Sequence, residues 1–212
     1  MFKINEEQKQ KFLSMEAEKR DRIINAAMEE FNKGYKKATT DEIVKQAGIS
    51  KGLLFHYFGS KENLYEFIIE YAIDVMVKEY FALINFEQRD FIERMWQMLL
   101  LKIDLSYKYP IMFDFVTTAY KEQKSESLKK LYGNSFGMVS SKIFADIDEG
   151  LFRDDIDPKM AINVIYWTHL SYSTAQLERI NSTSLKDYQK EYDKFLEEIK
   201  AYLSLFKKTF YK

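Results

Sequence analysis

Apolar residues recur along most of this chain at spacings of three and four, the pattern of helices that bury one face. Two very short periodic segments stand out. In the first, Ile43, Val44 and Ala47 share one side. In the second, Lys51 to Phe58, Leu54 and Phe58 share one side with Tyr57 flanking, while Gly52, Phe55 and His56 share the other. Ser60-Lys61 then opens a third helix. Longer segments follow. Leu64 to Ile84 is apolar on nearly every face, as in a helix packed on two sides. Asp90 to Tyr107 is stopped by Pro110, and Ile111 to Gln123 and Glu126 to Ile147 come next. Asp157-Pro158 reads as a cap and first-turn proline of a helix reaching about Ile180. Leu185 to Tyr211 carries a stripe at Leu185, Tyr188, Tyr192, Phe195, Leu196, Ile199, Tyr202, Leu203, Phe206 and Phe210. Ahead of all these, Met1 to Met15 scatters Phe2, Ile4, Phe12 and Leu13 among Lys and Glu, which predicts a helical or frayed extension.

The joints between the short helices are as informative as the helices. Thr39 can cap the first, with Glu42 three residues on returning the bond as a capping box. Gly48 sits where the chain must turn through a left-handed backbone, and Ser50 caps the restart. Two helices this short, set across a glycine turn, form a helix-turn-helix. The side bearing Gly52, Phe55 and His56 is then a reading surface. A major groove about 12 Å wide admits such a helix, and Gly52 lets its backbone approach closely. Lys51 supplies charge for phosphate or guanine. The free amides at Ser60-Lys61, with the Lys61 ammonium, make an anion site for one phosphate, and Thr40 plays the same part at the first helix. Two phosphate clamps fix register while the face in the groove specifies sequence.

Bulk properties narrow the picture further. The chain has 212 residues, 46% of them hydrophobic, with only two prolines and seven glycines, which fits an all-α fold with one small and one larger domain. The 32 basic residues nearly balance the 33 acidic ones. Residues 1–60 hold 11 Lys/Arg against 9 Asp/Glu, so attraction to DNA is local and modest, and specific binding calls for two copies of the domain. Lys3, Lys9 and Lys11 raise the idea of a minor-groove arm, but Glu6 and Glu7 oppose it. The lack of cysteine and of a signal-peptide pattern makes the cytoplasm the default, and Ala161 to Leu177 is too polar to span a bilayer. The aspartate-rich loop Asp146 to Asp157 suggests calcium, yet setting Gly150 at the turn position puts Ala145 and Ile147 where ligating oxygens are required, which excludes an EF-hand. With two histidines and no cysteine, neither a metal site nor a cofactor is expected. No Gly-x-Ser-x-Gly, Gly-x-x-x-x-Gly-Lys or His-Glu-x-x-His occurs, so no enzyme is expected either.

The segment from Arg22 to about Leu64 resembles the TetR family of bacterial one-component regulators. The residues that carry the resemblance are Ile23-Ile24, Ala26-Ala27, Phe31, Gly34-Tyr35, Thr39-Thr40, Ile43, Ala47 to Gly52, Tyr57-Phe58 and Lys61 to Leu64. It implies an N-terminal three-helix helix-turn-helix DNA-binding domain over 16–63, after an extension over 1–15, and a larger helical ligand-binding and dimerisation domain over 64–212. DNA contacts would then fall on Thr39, Thr40, Ser50, Lys51, Gly52, Leu53, Phe55, His56, Tyr57 and Lys61. Phe55 stands where a tyrosine is frequent, which trades a phosphate hydrogen bond for a thymine-methyl contact. Val44 replaces a commoner alanine. The last two helices would pair with their twofold mates as a four-helix interface.

Aromatics make up 16% of the chain, and Trp96, Phe113, Asp114, Tyr120, Met138, Tyr166, Trp167 and His169 are the expected lining of an effector pocket, with Asp104 a further polar candidate. The reading is therefore a homodimeric, ligand-responsive transcriptional regulator, a repressor released from double-stranded operator DNA by an unidentified small, largely apolar effector. The alternative is a helical small-molecule-binding or scaffold protein without specific DNA binding.

Overall fold

A computed structural model describes residues 6–122, 141–181 and 185–212 of the chain. Among them the regular elements are helical: α1 Glu6–Leu13, α2 Ala17–Asn32, α3 Thr40–Ala47, α4 Lys51–Phe58, α5 Lys61–Val75, α6 Phe91–Lys108, α7 Met112–Glu122, α8 Pro158–Asn181 and α9 Leu185–Phe210. The all-α expectation holds. By packing, the chain forms two compact units. One unit comprises Met1–Ala82 with Asp104–Val139, the other Leu83–Ile103 with Ser140–Lys212.

The first unit is built around α2 and α5. Helix α2 packs on α3 and α5, and α4 packs on both of those; Ile23, Ile24, Ala27 and Phe31 of α2, Ile43 and Ala47 of α3, Leu54 and Phe58 of α4, and Leu64 and Ile68 of α5 are each at most 2% exposed. Burying a large apolar side chain stabilises the folded state by about 1.5–3 kcal/mol, so this centre holds the two short helices α3 and α4, which could not persist alone. Contrary to expectation, α5 is not apolar all round. Glu62, Glu70, Asp74 and Lys78 form an exposed charged face, and the helix relaxes after Val75 into a π-helical turn, Met76–Tyr80.

Helix α7 belongs to this same unit. Phe115, Val116 and Ala119 are buried, and the ring of Phe115 meets that of Tyr65 edge-on at 6.2 Å. Polar ties reinforce the packing. The Tyr35 amide donates to the Glu122 carboxylate at 3.0 Å and the Tyr65 hydroxyl donates to it at 3.2 Å. The Thr118 hydroxyl donates to Asn32 Oδ1 at 2.9 Å, and the Asn25 side chain donates to the Lys108 carbonyl at 3.2 Å.

In the second unit, Leu99 and Ile103 of α6 pack on Phe195 and Ile199 of α9, flanked by Trp96, Tyr172, Tyr192 and Leu196. Asp90 caps α6, its Oδ1 accepting from the amides of Ile92 and Glu93 and from the Tyr211 hydroxyl. The end of the chain is pinned to the preceding loop: Arg153 N–H donates to the Phe210 carbonyl at 2.9 Å and Lys212 N–H to the Leu151 carbonyl at 3.0 Å. Asp157 and Pro158 start α8 as expected, with Asp157 Oδ1 accepting from the Lys159 amide at 2.9 Å. Of the expected helix over 126–147, residues 126–140 lie outside those described. Residues 141–143 are helical, and the chain then turns, with Asp146 at φ 54°.

Arg94 organises that turn. Its side chain is fully buried, and its guanidinium donates to the carbonyls of Phe86 and Gln88 on one side and of Lys142, Ile143 and Ala145 on the other, at 2.8–3.2 Å. A planar fork with five donors fits such a cage, whereas an ammonium has three. Arg94→Lys should therefore lower the unfolding free energy by about 3 kcal/mol, because it strands buried carbonyls around a still-buried charge. Chemical denaturation monitored by circular dichroism checks this.

Candidate functional site

Helices α3 and α4 are each eight residues long, and their geometry is set at their ends. Thr39 Oγ1 accepts from the Glu42 amide at 3.2 Å, but the return half of the expected capping box is absent. The Thr39 amide donates instead to Glu30 Oε1 of α2 at 3.0 Å, and Glu42 faces Lys45 at 3.6 Å. Tertiary folding brings a buried carboxylate closer to that amide than the local one. Gly48 takes the left-handed backbone, φ 65° and ψ 39°, and Ser50 caps α4 by accepting from the Leu53 amide at 3.2 Å. Ser60 likewise accepts from the Asn63 amide at the start of α5.

Leu54 and Phe58 turn inward at 2% exposure each. Gly52 and His56 are exposed, Leu53 and Phe55 half-buried on the outward side, and the half-buried Tyr57 ring stands edge-on to His56 at 5.2 Å. Apart from its chain neighbours and the helix's own backbone, no atom of the described residues lies within 4 Å of where a Cβ on Gly52 would sit. The chain's own packing therefore does not require a glycine there. Thr40 is half-buried at the first turn of α3. Lys51 forms an exposed ion pair with Asp41 at 2.7 Å, a contact weak enough for a phosphate to replace.

Lys61 is held by contacts within the chain. Its ammonium donates to the carbonyls of Tyr35 and Ala38, both at 2.6 Å, and lies over the Tyr35 ring at 4.5 Å. The cation expected at a phosphate, from the helix start and from the family resemblance, thus also ties the loop before α3 to the start of α5. Its counterpart is Glu30, 2% exposed. Burial pushes the Glu30 carboxyl up, but the hydrogen bonds from Lys33 and the Thr39 amide and the charges of Lys33 and Lys61 outweigh this and hold it below the ordinary value.

The expected pocket residues are divided between the two units. Phe113, Asp114 and Tyr120 belong to the first unit, Trp96, Tyr166, Trp167 and His169 to the second, and Met138 lies outside the described residues. Tyr120 is 45% and Trp167 62% exposed, so neither lines an interior; both sit on outward helix faces that composition cannot distinguish from inward ones. Asp104 is exposed too. Phe113 is half-buried, edge-on to Tyr80 at 5.5 Å, and Asp114 beside it is half-buried as well. Trp96 packs on the α6–α9 core under Lys200, and Tyr166 meets Phe144 edge-on at 5.0 Å. A cleft of about 410 Å³ lined by Phe144, Asp146, Ile147, Glu149, Lys159, Ile162 and Asn163 includes none of the expected residues.

His169 is the expected pocket residue with an interior setting and polar capacity to spare. Tyr166, His169, Ser173 and Gln176 follow one another at helical spacing on α8, and His169 and Ser173 are 8% and 2% exposed. Among the described residues no hydrogen-bond partner meets His169 Nδ1 or Gln176 Oε1, both buried. Burial, with the charge of Lys102 adding to it, pushes the His169 imidazole down to about 4, so it is neutral at pH 7. Sequence reasoning missed Glu30, Glu122 and Gln176, because nothing local marks a charged or amide residue that the fold turns inward.

Two measurements follow. Lys61→Met should lower the unfolding free energy by about 2 kcal/mol, since two carbonyls lose a charged donor, while the dependence of DNA binding on salt keeps its slope; a slope shallower by about one would return the ammonium to a phosphate. For His169 the folded-state value lies below the unfolded value of 6.5, so the unfolded chain binds more protons between pH 6.5 and about 4. The stability contribution is complete above that window and is lost as pH falls through it, by up to about 3 kcal/mol. Urea titrations across the window should show a shallower pH dependence in His169→Gln.

Comparison with known proteins fits this geometry. Residues 23–68 match the sequence model of the family described as bacterial regulatory proteins, tetR family. The chain is 32% identical over 128 residues to the HTH-type transcriptional regulator QacR of Staphylococcus aureus, an alignment spanning 57% of this chain and 68% of that protein. It is 28% identical over 143 residues to the HTH-type transcriptional repressor NicS of Pseudomonas putida, spanning 65% and 67%. In fold it is similar to a TetR family transcriptional regulator from Chloroflexus aurantiacus, with a TM-score of 0.60 at 18% identity, covering 96% of this chain and 98% of that one. An N-terminal helix-turn-helix on a helical body, with the family's sequence across it, is what these relatives share, and the chain belongs to the TetR family of bacterial transcriptional regulators.

Proposed function

We propose that this regulator is a homodimeric repressor that reads a near-palindromic operator with α4 and leaves it when a small, largely apolar molecule binds the second unit. The observation that carries the DNA-reading part is the outward Gly52, Phe55 and His56 face on a helix capped at Ser50, with open space at Gly52. In this reading His56 and Phe55 meet base edges, while Thr40, Lys51, Tyr57 and the free amides at the start of α5 hold phosphates. Lys61 acts by holding that start in place. Repression is the direction supported by the similarity to NicS, and the cytoplasm is the compartment in which such a regulator would meet its operator.

Dimerisation is supported by apolar surface that a lone protomer leaves wet. Met160, Val164 and Trp167 form a stripe on α8 at 67%, 41% and 62% exposure, with Leu170 at its edge, and Tyr202 and Leu205 are exposed on α9. A contiguous apolar face of this kind marks an interface, and a twofold pairing of α8 and α9 covers it. The stripe Tyr192, Phe195, Leu196, Ile199, Leu203 and Phe206 closes the protomer's own core instead. Leu185 and Tyr188 have side chains outside those described. Two reading helices then meet successive major grooves about 34 to 36 Å apart.

The effector reading rests on His169 and Gln176. Among the described residues these two buried polar atoms on one face of α8 have no partner, which is costly unless something else meets them, and an apolar ligand carrying one hydroxyl or amide would do so. It shifts the protein off DNA only if it binds the released conformation more tightly.

The test is to select the preferred duplex from a random pool and measure affinities by electrophoretic shift. His56→Ala should change the preferred sequence at one position per half-site, at about 1–3 kcal/mol; equal loss on every sequence removes His56 from the base-reading set. Trp167→Glu should sediment as a monomer and bind the duplex weaker by on the order of 100-fold.

A further inference from the structure

The matched family segment begins at residue 23, yet a helix that precedes it packs on the reading helix. In α1, Phe12 is fully buried. Its ring stands edge-on to three others: Tyr57 at 5.6 Å and Phe58 at 4.9 Å, both in α4, and Phe67 of α5 at 5.2 Å. Tyr57 in turn stands edge-on to His56, so the contact runs from the extension to the outward face. One turn earlier, the Gln8 side-chain amide donates to the His56 carbonyl at 3.2 Å. The last carbonyls of a helix have no partner within it. In α4 those of Phe55 and Phe58 are met by Gly59 and Ser60, and Gln8 meets that of His56. Lys9 pairs with Glu70 of α5 at 3.2 Å, and Arg20 donates to the Leu13 carbonyl at 3.1 Å, which anchors the far end of α1 to α2.

We infer that α1 is a fourth helix of the DNA-binding unit, in which Phe12 and Gln8 are positioning residues that fix the angle of α4 and the placement of Tyr57 and His56. The geometry is economical. An eight-residue helix exposes both its ends and buries two side chains of its own, Leu54 and Phe58, so its tilt follows whatever grips its C-terminal half. Phe12 fills the wedge between α4 and α5, and Gln8 holds the last turn from outside. Neither side chain is part of the outward face: Phe12 reaches it through Tyr57 and Gln8 through the His56 backbone. Their effect is on how well a specific sequence is read, more than on the phosphate contacts that any duplex offers.

The full-length protein is tested on the duplex it selects from a random pool and on an unrelated duplex of the same length, with thermal unfolding followed alongside. Gln8→Ala, a change at an exposed residue, should leave the melting temperature in place and lower the ratio of selected to unrelated affinity about fivefold, the worth of one hydrogen bond. Phe12→Ala should lower the ratio about tenfold or more, and Phe12→Leu should recover most of it, because it refills the wedge. If Phe12→Ala fails to fold, Gln8→Ala decides: an unchanged ratio overturns the inference, as does a folded Phe12→Ala that keeps the parent's ratio. Equal loss on both duplexes also overturns it, since that is the mark of a merely destabilised domain. A parent that selects no duplex would overturn the operator reading itself.

Discussion

A helix of two turns cannot stand on its own in water. Nucleation costs more than so few hydrogen bonds return, so the position of α4 is borrowed from what surrounds it. Its start is held by Ser50, its inner side by Leu54 and Phe58, and its end by the amide of Gln8. The same holds one helix back, where α3 begins at an amide bound to the buried Glu30 and the loop before it is strapped down by Lys61. The ionic groups at the heart of this unit are spent on placing backbone. What is left facing outward is short, partly apolar and weakly charged, which suits reading a sequence better than clinging to any polyanion.

How much of this was legible beforehand depended on whether the deciding contact was local. Caps and turns are matters of three or four residues, and Thr39, Gly48, Ser50 and Ser60 behave as their positions in the sequence imply. Glu30 and Lys61 are different. Sequence reports their charge but not their direction, and each is turned inward by partners many residues away. Phe12 looked like one apolar residue among several in a charged extension, because its three ring partners lie in helices that begin some forty residues later.

The second unit was harder to read for another reason. Helix α8 carries apolar residues on every side, so its periodicity cannot say which side faces inward. Trp167 was expected in a pocket and lies on the surface, while His169, two positions on, is buried. Arg94 escaped notice because a lone arginine in a helix is ordinarily a solvated one, and the carbonyl cage that receives it is assembled from two loops.

Glu122 sits at the last turn of α7, some sixty residues beyond the helix-turn-helix, yet its carboxylate is bound by the Tyr35 amide and the Tyr65 hydroxyl, and Gly34, at φ 98°, leaves room for it where a Cβ would come within 3.0 Å. The DNA-reading module is consequently not a detachable cassette. A chimera spliced just past Leu64 would carry the loop away from the acid that seats it and hand the recipient a glycine with nothing to accommodate; the natural joint for such grafts includes α7, or at least a carboxylate in its place.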